Sequence, residues 1–411
     1  MFDPKTVRSL FPALSRSFNG EPVVYLDGPG GTQTPGSVSA AMAAVLDRGV
    51  SNHGGDFVTS HEGETIVVSA RRAVADLINA ADPNEIAFGQ NMTSLTFAVS
   101  RALARTWQPG DEIVVTRLDH DANITPWVVA AEERGVRVRW LDFLPEDGCR
   151  LDYSSLEAIL TSRTRLVAVT HASNAVGTIV DVGRVATAAH SVGARVFVDA
   201  VHYSPHGLID VQALGCDFLV ASAYKFFGPH VGFLYGRHEL LAGLDAYKLR
   251  PAPSDPPGKW ETGTQSFESL AGLTAAVDYL ASLGGSEATG ARRSALRDSM
   301  ETVGAHEQYL TDAFLEAVTP RDFIKVTGSG KTGRTPTFAV AIDGLSAQDV
   351  QSRLGEQGIF VWAGHYYAVE VMERLGVLSK GGLVRIGFVH YNTKAELDRL
   401  LLGLDGLAAG R

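Results

Sequence analysis

The chain has 411 residues, 45% of them hydrophobic and 20% charged, with a formal net charge of −10. That length suits two domains, or one large and one small, each able to bury a core. The acidic balance argues against nucleic acid or an anionic membrane as the main partner, and no run approaches the roughly 18 apolar residues of a membrane span. With only two cysteines, Cys149 and Cys216, a disulfide framework or paired-cysteine metal site is excluded. The opening stretch MFDPKTVRSLFPAL has scattered charges and no apolar signal core, so a soluble, cytoplasmic protein is expected.

In chain order, residues 1–20 read as a short helix and a connector. VVYLDGPGGTQTP (23–35) reads as a brief strand and a Gly/Pro loop. There Gly28, Gly30 and Gly31 allow either close backbone approach to a ligand or a plain turn. Residues 36–48 form an amphipathic helix ended by Gly49. SNHGGDF (51–57) is a loop carrying His53, and ETIVVSARRAVADLINA a long helix. In IAFGQNMTSLTFAVSRAL (86–103) a short strand runs into a helix whose start carries Asn91, Thr93 and Ser94, residues of capping type. Free N–H groups at such a start make a phosphate site; an ordinary capped helix gives the same pattern.

Further strands are expected from 112 to the Asp119-His120 pair, at 137–143, in 165–182 with Ser173-Asn174 at its exit, and at 195–198, 218–221 and 231–236. Helical stretches such as 128–134 and 183–192 alternate with them, which predicts an α/β doubly wound, largely parallel sheet. After 237 the pattern changes. A Pro/Gly-rich loop (250–269) leads to helices at 267–284 and 289–318, strands at 335–342, 359–362 and 383–388, and helices at 347–356 and 394–408. Three parts are predicted: an N-terminal segment (1–20) packing with the small domain, a large domain (21–284) and a smaller α/β domain (285–411).

The predicted strand exits carry Asn91–Ser94, His120, Asn174, Asp199 and Lys225. Ligands of open α/β sheets sit beyond the carboxyl ends of the strands, so Asp199 and Lys225 are expected to share a crevice. A lysine amine forms a Schiff base with an aldehyde once desolvation or nearby cations lower its pKa. If that aldehyde belongs to pyridoxal phosphate, a carboxylate must keep the pyridine nitrogen protonated. Asp199 and Lys225 suit these two tasks. A surface lysine after a strand and an aspartate opening a loop would be the plain alternative, but five polar clusters at one sheet edge weigh against it.

From YLDGPGG near residue 25 to HYNT at 390–393, the chain resembles the class V aminotransferase-type, fold type I pyridoxal phosphate enzymes. The motifs LDHDANITPW, SNAVGT, VDAVHYSPH, SAYKFFGP and WETGTQ carry the resemblance, with the cysteine desulfurase and selenocysteine lyase group nearest. It implies a large domain with a mostly parallel seven-stranded sheet, a smaller C-terminal α/β domain and a homodimer. Lys225 would bind the cofactor covalently, Asp199 would pair with its pyridine nitrogen, and His120 would stack on its ring. His202 would stand near the ring hydroxyl. Met92, Thr93, Ser222 and Tyr224 would hold the phosphate, with Thr264 reaching it from the second subunit. Asn174 and Arg385 would bind the substrate carboxylate, with His53 and His365 also at the substrate.

Departures from that group bear on the reaction. WAGHYYA puts Tyr367 where desulfurases carry their mobile, persulfide-forming cysteine, and Trp362 and Gly54 stand where the group has arginines. Trp362 and Tyr367 suggest an aromatic pocket lining, or simply packing of the small domain. The expected reaction is β-elimination on a cysteine-like α-amino acid, of C–S lyase type, without persulfide chemistry. An aminotransferase, an epimerase and a non-catalytic binding protein of the same fold are the alternatives.

Overall fold

The computed structural model describes residues 2–284 and 291–409. The expected start of the second domain at 285, and of its first helix at 289, lie outside the described residues. Seven mostly apolar runs form one sheet: β1 (Ile86–Gly89), β2 (Glu112–Thr116), β3 (Arg137–Leu141), β4 (Thr164–Thr170), β5 (Arg195–Asp199), β6 (Phe218–Ser222) and β7 (Gly232–Gly236). Their order is β1-β7-β6-β5-β4-β2-β3. Neighbours are parallel except at β7, which is antiparallel to both β6 and β1. The link 223–231 is too short for a parallel crossover, which takes a dozen residues or more.

Both faces of the sheet are covered, which is why its central strands are apolar at successive positions. Val196 and Val198 pack on one side with Val167, Val169 and Leu219. Phe197 points the other way, into a second cluster with Leu166, Phe218, Val220 and Trp127, as the two-residue strand period requires. The Trp127 indole meets the Phe197 ring edge-on at 4.8 Å.

A second sheet comprises β8 (Ile324–Thr327), β9 (Thr337–Ile342), β10 (Trp362–Gly364) and β11 (Leu383–Gly387). It is antiparallel throughout, in the order β8-β9-β11-β10. Helices Arg292–Val318 and Lys394–Ala409 contribute Leu310, Phe314, Leu397, Leu400 and Leu404 to its core. The run 359–362, expected as one strand, is divided. Ile359–Phe360 pairs in parallel with Val24–Tyr25, and the chain then turns into β10. Near the N-terminus, Arg8 Nη1 donates to the Tyr391 carbonyl at 3.0 Å and to the Glu396 carboxylate at 2.9 Å. Among the described residues, no helix is long and apolar enough to cross a membrane.

One glycine fixes where the first site helix begins. A Cβ at Gly232 would lie 2.4 Å from the Asn91 carbonyl carbon and 2.8 Å from the Met92 nitrogen, so β7 presses directly on the start of helix Met92–Ala104. Backbone on both sides leaves no flexible group to yield. Gly232→Ala is therefore expected to cost about 1–3 kcal/mol, as over-packing does. Gly243→Ala, with nothing within 4 Å, is expected to be neutral or stabilising by up to about 1 kcal/mol. Urea unfolding of the two variants checks this, and equal midpoints would disprove the close approach.

Candidate active site

A cavity of about 800 Å³ opens at the carboxyl edge of the large sheet, with walls from both sheets, and Lys225, Asp199, His120, Asn174 and Arg385 line it. Asp199 is the last residue of β5, and Lys225 ends a single 3-10 turn directly after β6. That turn is fixed from inside: the Ala223 amide donates to the Val231 carbonyl at 2.8 Å, and the Gly228 amide to the Ala223 carbonyl at 2.9 Å. Lys225 Nζ donates to the Pro29 carbonyl at 2.5 Å. Burial, then the Arg385 cation, pull the Lys225 amine down to about 7. Burial pushes the Asp199 carboxyl up to about 6, opposed by the Val201 amide, 2.9 Å from Oδ1, and by Lys225.

His120 follows β2. Its Nδ1 accepts the Ala122 amide at 3.0 Å, so the neutral ring carries its proton on Nε2. Burial, reinforced by the Lys225 and Arg385 cations, holds its pKa down to about 3. The residue before it, Asp119, is fully buried. It receives the Thr116 hydroxyl and, at 2.6 Å, the Asn123 amide, and Asn123 accepts the Trp127 indole N–H at 3.0 Å. Burial pushes Asp119 up to about 8, opposed by the hydrogen bonds from Thr116 and Asn123. This network seats His120, and the sequence marked Asp119 only as a strand end. Asp27, pushed up to about 6 by burial and felt by both Arg385 and Lys225, was likewise missed; its only signal was the LDGPGG loop.

Asn91 caps helix Met92–Ala104, its side chain accepting the Ser94 amide at 2.9 Å. The Met92 amide donates to the buried Ser222 hydroxyl at 2.9 Å. Met92, Thr93, Ser222 and Tyr224 all line the cavity, which gathers first-turn N–H groups and hydroxyls at one end. Tyr224 stacks on His230 with centroids 4.8 Å apart.

At the other end, Arg385 rises from β11. Its Nη1 donates to the Asn174 carbonyl at 3.0 Å, and its guanidinium lies 4.5 Å from the Tyr366 ring centre. Asn174 Nδ2 donates to the Tyr366 carbonyl at 3.0 Å. Arg385 Nε and Asn174 Oδ1 are buried without a partner among the described residues. The His202 ring bonds Thr335 Oγ1 at 3.0 Å, and His202 also lines the cavity.

His365 lines the mouth. Thr264 and His53 are exposed and do not line the cavity of this single chain. Cys149 and Cys216 are buried and absent from its lining. Burial pushes their thiols up to about 11 and about 12.

These residues fit pyridoxal phosphate. One end offers a helix N-terminus and hydroxyls to a phosphate, the middle a depressed lysine and a buried carboxylate, and the far end an unpartnered guanidinium nitrogen to a carboxylate. The family model "Aminotransferase class-V" matches residues 24–400. A cysteine desulfurase of Dickeya dadantii is 33% identical, with 97% of this chain and 95% of that protein covered. The "Aminotransferase-like protein FGM3" of Gibberella zeae is 32% identical, with 98% and 97% covered. The crystal structure of the cysteine desulfurase CsdA from Escherichia coli superposes with a TM-score of 0.86 at 28% identity, covering 100% of this chain and 99% of that one.

With Lys225 as the cofactor's anchor and Asp199 as its partner, the two shifted groups would set a pH dependence for cofactor loading. A neutral Lys225 amine predominates only above about 7, where Asp199, at about 6, is already charged. The rate at which apoprotein mixed with pyridoxal phosphate gains visible absorbance is expected to rise with pH and level off above about 7. A flat profile between mildly acidic and mildly alkaline pH would contradict the assignment.

Proposed function

This chain belongs to the class-V aminotransferase family of pyridoxal phosphate enzymes, and from that premise we propose that it cleaves the C–S bond of a cysteine-like α-amino acid by β-elimination, without a persulfide. The observation that carries this reading is the position of sulfur in the chain. Persulfide chemistry needs a thiolate beside the substrate sulfur. Both thiols are buried away from the cavity with raised pKa values, and the arm formed by residues 362–367, which lines the cavity, presents Tyr367 instead. With cysteine as substrate the balance is cysteine and water to sulfide, pyruvate and ammonia.

When bound, the cofactor withdraws electrons from Cα and so weakens the bonds that leave it. Asp199 holds the ring nitrogen protonated. Lys225 would anchor the cofactor and would take the Cα proton as general base; a pKa near neutrality suits that task. His120, neutral and fixed through Nδ1, covers the ring and presents Nε2–H. Arg385 and Asn174 orient the substrate carboxylate, with His365 at the mouth. His202 would stand near the ring hydroxyl, while Met92, Thr93, Ser222 and Tyr224 would hold the phosphate. Thr264, exposed here, acts across a homodimer interface in this reading, and His53, also exposed, contacts the substrate.

Two experiments bear on it. Wild type incubated with L-cysteine should release sulfide and pyruvate in equal amounts and show no sulfur adduct in intact-mass spectra. The Cys149→Ala/Cys216→Ala variant should retain turnover; its loss in a folded, yellow protein would refute the reading, as would an adduct on wild type. Borohydride reduction of the holoenzyme and peptide mapping should place the pyridoxyl label on Lys225 and leave Lys225→Ala unlabelled. A label on any other lysine removes Lys225 from its role.

A further inference from the structure

The sheet that carries Arg385 also carries a residue with no role so far. Trp362 on β10 and Arg385 on β11 are register partners, and directly opposed residues of antiparallel strands project from the same face. Both line the cavity. An amino acid with its carboxylate on Arg385 has its Cα one bond away, so its side chain starts beside Trp362. The indole occupies space a side chain would otherwise fill: a Cβ at Gly30 would stand 2.4 Å from its Nε1. Across the mouth, the Tyr367 ring stacks on His120, centroids 5.5 Å apart and planes 17° from parallel. Trp362 is 47% exposed and Tyr367 66% exposed, so both rings keep open faces.

The arm between these rings is fixed. The Asp121 amide donates to the Tyr367 carbonyl at 2.7 Å, Asn174 holds the Tyr366 carbonyl, and the Tyr366 hydroxyl donates to the Leu383 carbonyl. Tyr366 and Tyr367 sit in the left-handed region, at φ 51° and 59°, where residues with a Cβ persist only if their surroundings hold them. The helix that follows, Val369–Arg374, is tied to the large domain by the Arg117–Glu370 ion pair and by Arg374 on Asp142 at 2.8 Å. Two aromatic faces are thus set in place before any ligand arrives, which lowers the cost of ordering them on binding.

We infer that Trp362 and Tyr367 form the side-chain subsite, and that the substrate is an α-amino acid with an aromatic group beyond its β-carbon. This rests on the reading above, and together the two point to a cysteine S-conjugate of aryl or heteroaryl type. Lys225 takes the Cα proton, the Cβ–S bond breaks with its electron pair leaving on sulfur, and the thiolate takes up a proton. Water then converts the remaining three-carbon fragment to pyruvate and ammonia. For S-phenyl-L-cysteine the balance is conjugate and water to thiophenol, pyruvate and ammonia.

The test compares S-phenyl-L-cysteine with L-cysteine on the holoenzyme, by visible absorbance, tryptophan fluorescence and steady-state kinetics. Wild type should show a KM for the conjugate about tenfold below that for cysteine, a difference that flat-face contact and burial can supply. Trp362→Ala should erase the preference by raising the conjugate's KM alone, with kcat little changed, and Trp362→Phe should restore most of it. Tyr367→Ala should weaken the conjugate in the same way. Equal KM values in wild type, or a Trp362→Ala variant that weakens both amino acids alike, would overturn the subsite while cysteine turnover left the β-elimination standing. If neither amino acid perturbs the cofactor absorbance, the amino-acid reading falls and the subsite falls with it.

Discussion

The cavity is organised by two groups at neighbouring strand exits, the half-buried Lys225 and the buried Asp199, which feel each other's charge. Removing an ammonium and a carboxylate from water is costly, and their mutual attraction only partly offsets it. Each is accordingly displaced towards its neutral form, the amine down to about 7 and the carboxyl up to about 6. The pair exists because β5 and β6 are parallel neighbours with Asp199 opposite Val220. Both chains therefore leave the sheet at the same edge within a few residues. A shift of one residue in that register would turn the Asp199 side chain to the other face of the sheet. The Pro29 carbonyl, the Val201 amide and the Arg385 cation then tune a pair whose position the sheet has already set.

The second sheet completes the site. Arg385 is fully enclosed, with burial lowering its pKa to about 10, so it remains charged at neutral pH. Its charge depresses Lys225 and His120 alike. One guanidinium thus has two effects: it leaves an Nε without a partner among the described residues, and it adds to the burial that lowers the pKa of Lys225 and His120. A substrate carboxylate arriving there would offset that charge, which couples carboxylate binding to the basicity of Lys225.

The strands were legible in the sequence because both sheet faces are covered, so β4, β5 and β6 read as unbroken apolar runs ending in polar residues. Lys225, Asp199, His120, Asn174 and Arg385, named from strand exits and motifs, come together at one cavity. Other features depended on pairing that no single stretch reveals. The reversed direction of β7 follows from the short link before it. Ile359–Phe360 parts from Trp362–Gly364 because a distant strand, Val24–Tyr25, claims the first half. β8 went unread because it is only four residues long, although Ile324 and Val326 alternate with Lys325 and Thr327. Asp119 read only as the end of a strand, since its meaning lies in Thr116, Asn123 and Trp127 folding around it. Consecutive left-handed tyrosines carry no sequence signal, as that conformation is usually marked by glycine or asparagine.

The arm joins these observations into one account of where sulfur goes. A thiol that accepts sulfur and passes it on must reach the substrate and then reach an acceptor, so the segment bearing it has to move. Here the segment carries tyrosine and is held at its carbonyls, at a hydroxyl and through the helix behind it. Freeing it would break those bonds, a cost only partly offset by releasing two left-handed residues, each disfavoured by roughly 1–2 kcal/mol. Elimination to a free thiol or sulfide asks for no such motion. In the proposed reaction it would need a proton removed at Cα, a carboxylate held on Arg385 and a leaving group that departs past the arm, where the fixed rings would bear on which leaving groups fit.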